Sequence, residues 1–122
     1  DSRKELKPEL EKLYNDSNLI TRDLINEVLK FKRLDGVSLS LNKIMKDCLF
    51  ENNKQKSNLR NILESLKNKV SIIWGQQDKI IPYKHIENLS QNINCNILDH
   101  SGHMSHIEKS KEVNDIIKKT IN

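Results

Sequence analysis

Two short segments carry the residues able to do chemistry. The first is Trp74-Gly75-Gln76-Gln77-Asp78-Lys79-Ile80-Ile81-Pro82, and the second is Ser101-Gly102-His103-Met104-Ser105-His106-Ile107-Glu108. A carboxylate that accepts from an imidazole N–H fixes the tautomer of the ring and stabilises its charged form. The other ring nitrogen is then free to act as a general base. Asp78 and His103 are the candidates for these roles. The competing reading makes Asp78 a turn carboxylate after a strand and His103 a structural loop histidine, and the two assignments stand or fall together. Gly75 and Gly102 would let the backbone turn sharply beside them. A metal reading also exists: His100, His103 and His106 are spaced by three, with Asp99 and Glu108 flanking. Ser101-Gly102 interrupts the helix that this spacing would need, and no H-E-x-x-H is present, so no metal ligands are assigned.

These residues need elements to position them. Val70-Ser71-Ile72-Ile73-Trp74 is a β-branched run ended by Gly75, which suits a buried strand and a tight turn. Residues 83–92 read as a helix after Pro82, with Ile86, Leu89 and Ile93 inward. Asn94 to Leu98 reads as a second strand, and residues 105–121 as a closing helix. Strand, helix, strand, helix is the pattern of a parallel βαβ unit. Asp78 and His103 then follow the C-terminal ends of consecutive strands, where ligands bind in open α/β sheets.

The grammar before residue 69 is helical throughout. Leu6, Leu10 and Leu13 share a helix face, and Asn15-Asp16-Ser17-Asn18 is a turn cluster. Thr21 can cap a helix with Leu24, Ile25, Val28 and Leu29 as its stripe, stopped by Asp35-Gly36. Ser38 opens another, with Leu41, Ile44, Met45, Cys48 and Leu49 inward. Residues 51–56 form a polar linker, and Ser57 caps a short helix carrying Leu59, Ile62, Leu63 and Leu66. The expected organisation is residues 1–69 as a helical, lid-like region and residues 70–122 as a βαβα unit.

The pattern W-G-x-x-D-x-I-x-P after a strand, then a helix, a strand and G-H-M-x-H-x-E, resembles the C-terminal end of α/β-hydrolase-fold proteins over residues 70–122. The resemblance implies an incomplete α/β-hydrolase fold, with Asp78 as triad acid and His103 as triad base, in the family order acid then histidine. Leu19-Ile20-Thr21-Arg22-Asp23-Leu24-Ile25 is similar to a lid segment of the subgroup containing meta-cleavage-product hydrolases. It implies a serine hydrolase of a small acyl, ester or carbon–carbon substrate that needs no cofactor.

The departure from that pattern is large. The three glycines, Gly36, Gly75 and Gly102, frame no G-x-S-x-G elbow, and the family's oxyanion-hole segment is not in the sequence. Alone, the chain is expected to be inactive, because an Asp/His pair without a nucleophile and oxyanion donors has nothing to activate. Two parallel strands also make a poor isolated sheet. The expected partner is the missing N-terminal half, or a second copy that completes the sheet. The alternative is a non-catalytic remnant or self-associating interaction module.

Composition narrows the partner classes. The 122 residues contain 17 Lys, 15 Asn and 15 Ile, a pattern of AT-rich coding bias. The net charge is +4, and its excess lies in residues 1–69, spread over several helices without interleaved aromatics. That distribution argues against a nucleic-acid surface. No apolar run reaches the ~18 residues a membrane span needs. The opening Asp1-Ser2-Arg3-Lys4-Glu5 leads into no signal peptide and lacks Met, as in an excised fragment. Cys48 and Cys95 form no C-x-x-C and read as reduced, half-buried thiols of a cytoplasmic protein.

Overall fold

A computed structural model describes residues 2–49 and 58–121. The chain runs through helices α1 (Arg3–Leu13), α2 (Arg22–Lys32), α3 (Val37–Cys48) and α4 (Arg60–Ser65), then strand β1 (Val70–Gly75). Strand β2 (Ile93–Leu98) follows, and helices α5 (Ser105–Glu108) and α6 (Ser110–Ile121) close the fold. The polar linker and the Ser57 cap lie outside the described residues.

Local chemistry accounts for the helix starts. Ser2 and Glu5 form a reciprocal capping box at α1, with the Ser2 hydroxyl accepting from the Glu5 amide at 3.3 Å. The Ser2 amide, donating to the Glu5 carboxylate at 2.9 Å, and the Ser2 hydroxyl hold that carboxyl below its ordinary value. The Thr21 hydroxyl accepts from the Leu24 amide at 3.1 Å, so Thr21 caps α2 as expected. Helix α3 begins one residue before the expected Ser38. Gly36 sits at φ +81° and reverses the chain so that Val37 can start the helix.

The apolar faces of α1 and α2 meet. Leu10, Tyr14, Ile20, Ile25 and Leu29 form one buried cluster, with Leu6, Leu13, Leu24 and Val28 packed around it. The inward assignment for α3 fails for Leu41, Ile44, Met45 and Cys48, which are exposed, while Leu49 at its end is half-buried. On α4, Leu59, Ile62 and Leu66 are exposed as well. The α3 stripe has no described element over it, whereas α4 half-buries Leu63 in a cleft it shares with Ile72, Trp74 and Ile86.

Strands β1 and β2 pair in parallel, from Val70 opposite Ile93 to Gly75 opposite Leu98. This two-stranded sheet is covered by α6 and α5 on the β1 side. The Val70–Trp74 run is half-buried rather than fully buried, since one pair of strands cannot enclose both of its own faces. The predicted helix over 83–92 is a single 3-10 turn, Tyr83–Ile86. It ends where Glu87 turns extended, and Asn88 then takes a left-handed φ of 58°. The Arg60 guanidinium donates to the Glu87 and Asn88 carbonyls, which a continuing helix would have turned toward amides four residues on. The closing helix is two helices with a break at Lys109. Cys95 is exposed rather than half-buried, as is Cys48. Among the described residues no helix is long and apolar enough to cross a membrane.

Candidate functional site

The sequence places Asp78 and His103 beyond the ends of β1 and β2, and the structure brings them into contact. His103 Nδ1 lies 2.9 Å from Asp78 Oδ2. The second carboxylate oxygen, Oδ1, accepts from the Ile80 amide at 2.8 Å and the Ile81 amide at 2.9 Å. The Asp78 side chain is 3% exposed and that of His103 is 34% exposed. Burial pushes the Asp78 carboxyl up, but the Ile81 amide, the His103 ring and the Ile80 amide together outweigh it. The carboxyl is held below its ordinary value and stays ionised.

Several contacts hold the two loops in this geometry. The Trp74 indole donates to the Ile81 carbonyl at 2.9 Å and closes the Asp78 turn. The Gln77 side chain donates to Asp99 Oδ1 at 2.9 Å and accepts from the Ser101 amide at 3.0 Å. The Gln77 amide donates to the Ser101 carbonyl at 2.9 Å. Asp99 also accepts from the His100 amide at 2.8 Å, and the Gln77 and His100 bonds hold its carboxyl below its ordinary range. Glycine is required at both close approaches. A Cβ on Gly75 would lie 2.1 Å from the Gly102 carbonyl oxygen, and one on Gly102 would lie 2.8 Å from the Asn15 amide nitrogen.

A cavity of about 240 Å³ opens beside the pair, with Ile73, Trp74, Ile81 and Val113 as apolar walls. Ser105 is the serine on its lining, and its hydroxyl donates to the Gly102 carbonyl at 2.9 Å. That hydroxyl is committed to the loop backbone, so Ser105 is not set up as a nucleophile for His103. His106 reaches the same cavity, whereas His100, at φ 52°, turns out toward Asp99. Among the described residues no three His, Cys, Asp or Glu side chains are grouped to hold a metal ion.

The sequence reading missed Gln77 and Glu108 as organising residues. Glu108 accepts from the Asn15, Asp16 and Gly102 amides at 2.7, 2.9 and 2.5 Å. Two of those partners are more than ninety residues away in the chain, and no local pattern announces them.

No protein-family model matches the chain. The chain is 36% identical over 118 residues to a dihydrolipoyllysine-residue acetyltransferase component of an acetoin cleaving system from Cupriavidus necator. It is 32% identical over 113 residues to the component of the same description from Pseudomonas putida. These matches cover 97% and 93% of the chain but 31% and 30% of the relatives, so the chain spans about a third of their length. Among solved structures, a meta-cleavage product hydrolase from Pseudomonas fluorescens superposes with a TM-score of 0.85 at 18% identity, over 99% of this chain and 46% of that one. A serine hydrolase from Cycloclasticus zankles gives a TM-score of 0.76 at 19% identity, over 96% of this chain and 44% of that one. Strand order, strand-end loops and these superpositions agree, and the chain has the α/β-hydrolase fold, of which it presents the C-terminal portion.

Proposed function

We propose that this chain supplies the acid and the general base of a serine-type α/β-hydrolase, with Asp78 orienting His103. The observation that carries the reading is the 2.9 Å contact between His103 Nδ1 and an Asp78 carboxylate whose other oxygen is already held by two amides. An Asp fixed in that way selects the Nδ1–H tautomer. Nε2 is then left as the base that would take a proton from a serine hydroxyl and return it to the leaving group. Residues 1–69 serve as the lid-like region and residues 70–122 as the end of the core.

The serine and the oxyanion donors belong, in this reading, to the rest of a longer protein, because no described serine is placed for the role. The chain alone is therefore expected to be inactive. The substrate is a small molecule with an acyl, ester or activated carbon–carbon bond. The curated relatives act in acetoin cleavage and bear an acetyltransferase name, which favours a two-carbon acyl unit.

The test is complementation. The chain is joined to the segment that precedes the matched region in the Cupriavidus necator relative, then treated with a fluorophosphonate probe and a short-chain ester. Labelling and turnover that vanish in His103→Ala support the reading. A folded, complemented protein that takes no label and turns over no ester overturns it.

A second reading is favoured by the exposed stripes of α3 and α4 and by the two-stranded sheet. In it the chain is a non-catalytic module that self-associates to cover them. Light scattering that returns a well-folded monomer argues against it.

A further inference from the structure

Glu108 has no place in the acid–base pair, yet its carboxylate has three partners, as many as that of Asp78. Oε1 accepts from the Asn15 amide at 2.7 Å and the Asp16 amide at 2.9 Å, and Oε2 accepts from the Gly102 amide at 2.5 Å. Asn15 and Asp16 lie in the turn just after α1, and Gly102 directly precedes His103. The residue on the other side of His103 is tied to the same place. The Met104 amide donates to the Leu13 carbonyl at 3.1 Å, and the Met104 side chain packs against the α1–α2 core. The backbone at Gly102 presses so closely on residues 13–15 that no Cβ fits between them.

His103 therefore sits between two residues that are both fastened to the end of α1, while its own ring turns the other way, to Asp78. We infer that Glu108 is a positioning residue: it locks the His103 loop to the turn after α1, so that the orientation of the imidazole depends on where the helical region sits. This rests on the reading of Asp78 and His103 as an acid–base pair. A charged acceptor shared by three amides is strong because each bond is charge-assisted. It is also specific, since a carboxamide in its place would turn an N–H₂ group toward at least one N–H donor. Any displacement of α1 would pull on Gly102 and Met104 before it reached Asp78, so the coupling runs from the helices to the base.

The experiment uses the full chain labelled with 15N, reading the His103 ring nitrogens and the amide exchange of Gly102, Asn15 and Asp16. Glu108→Gln should speed exchange at those three amides roughly tenfold or more, the loss expected for a hydrogen bond to a charged group. It should also reduce the share of the Nδ1–H tautomer at His103. Ile93→Ala, a cavity at the far end of β2, should lower stability yet leave the ring signals as in the wild type. Met104→Ala removes the side-chain part of the other fastening, its packing on the α1–α2 core, and leaves both the Met104 amide bond to Leu13 and the Glu108 carboxylate in place. It should shift the ring signals in the same direction, and it serves alone if Glu108→Gln does not fold. Unchanged ring signals in whichever of these two variants folds, beside changed ones in Asp78→Asn, overturn the positioning role and leave the acid–base pair intact. Unchanged signals in Asp78→Asn overturn the pair itself.

Discussion

Helices α2 and α3 are built alike and end up differently. Each is eleven or twelve residues long, and each carries an apolar stripe at helical spacing. Ile25 and Leu29 of α2 are 5% exposed, buried against Leu10 of α1. On α3, Leu39 is 76% exposed and Ile44 58%. Amphipathic periodicity states that a face needs a cover, and it does not state that the cover belongs to the same stretch of chain. The contrast extends over the molecule. The α1–α2 pair and the two strand-end loops are tied together by close backbone contacts, whereas α3 and α4 leave an apolar surface open.

The contrast is sharpest where backbone meets backbone. Gly75→Ala should cost at least about 3 kcal/mol, because its Cβ would enter the Gly102 carbonyl and neither strand-end loop has room to shift. Urea unfolding measures this, and a loss below ~1 kcal/mol would mean that the two loops are far looser than their hydrogen bonds indicate. Leu29→Ala should cost about 2–3 kcal/mol through the cavity it leaves in the α1–α2 core, the lower part of the usual range because the pair is covered by few other elements.

The Asp78–His103 pair adds a pH-dependent part to the anchored region. The folded Asp78 carboxyl lies below its ordinary value of 3.8. Its contribution to stability is therefore present above pH 3.8 and is lost as pH falls through the lowered folded value. Asp78→Asn should flatten that acid limb, read as melting temperature against pH between neutrality and strong acid. A limb as steep in Asp78→Asn as in the wild type would assign the acid sensitivity to other carboxylates.

The two regions also differ in how much the sequence discloses. The strand-end loops were legible because chemistry restricts them: a carboxylate follows a β-branched strand and a glycine, and a histidine follows a second strand and a glycine. Thr21 was legible as a cap for the same kind of reason. The helix expected over 83–92 failed because Arg60, more than twenty residues upstream, takes the Glu87 and Asn88 carbonyls and Asn88 adopts a left-handed φ. Glu108 stood in the histidine motif, but its role was hidden because two of its partners are backbone amides after α1, which no side-chain pattern records. What local spacing sets could be read, and what distant backbone supplies could not.

The smallest effect is the one that decides what the open face means. Ile44→Ser on α3 should change the stability of the isolated chain by no more than about 0.5 kcal/mol, since a side chain already 58% exposed loses little contact on truncation. The same substitution in the complemented protein described above should cost more, by up to about 2 kcal/mol, if the added segment buries that face. Equal costs in the two backgrounds would show that α3 stays uncovered in the complemented protein. The open stripe would then be a surface for a second chain, and the difference between α2 and α3 would lie in their partners rather than in how much of the fold is present.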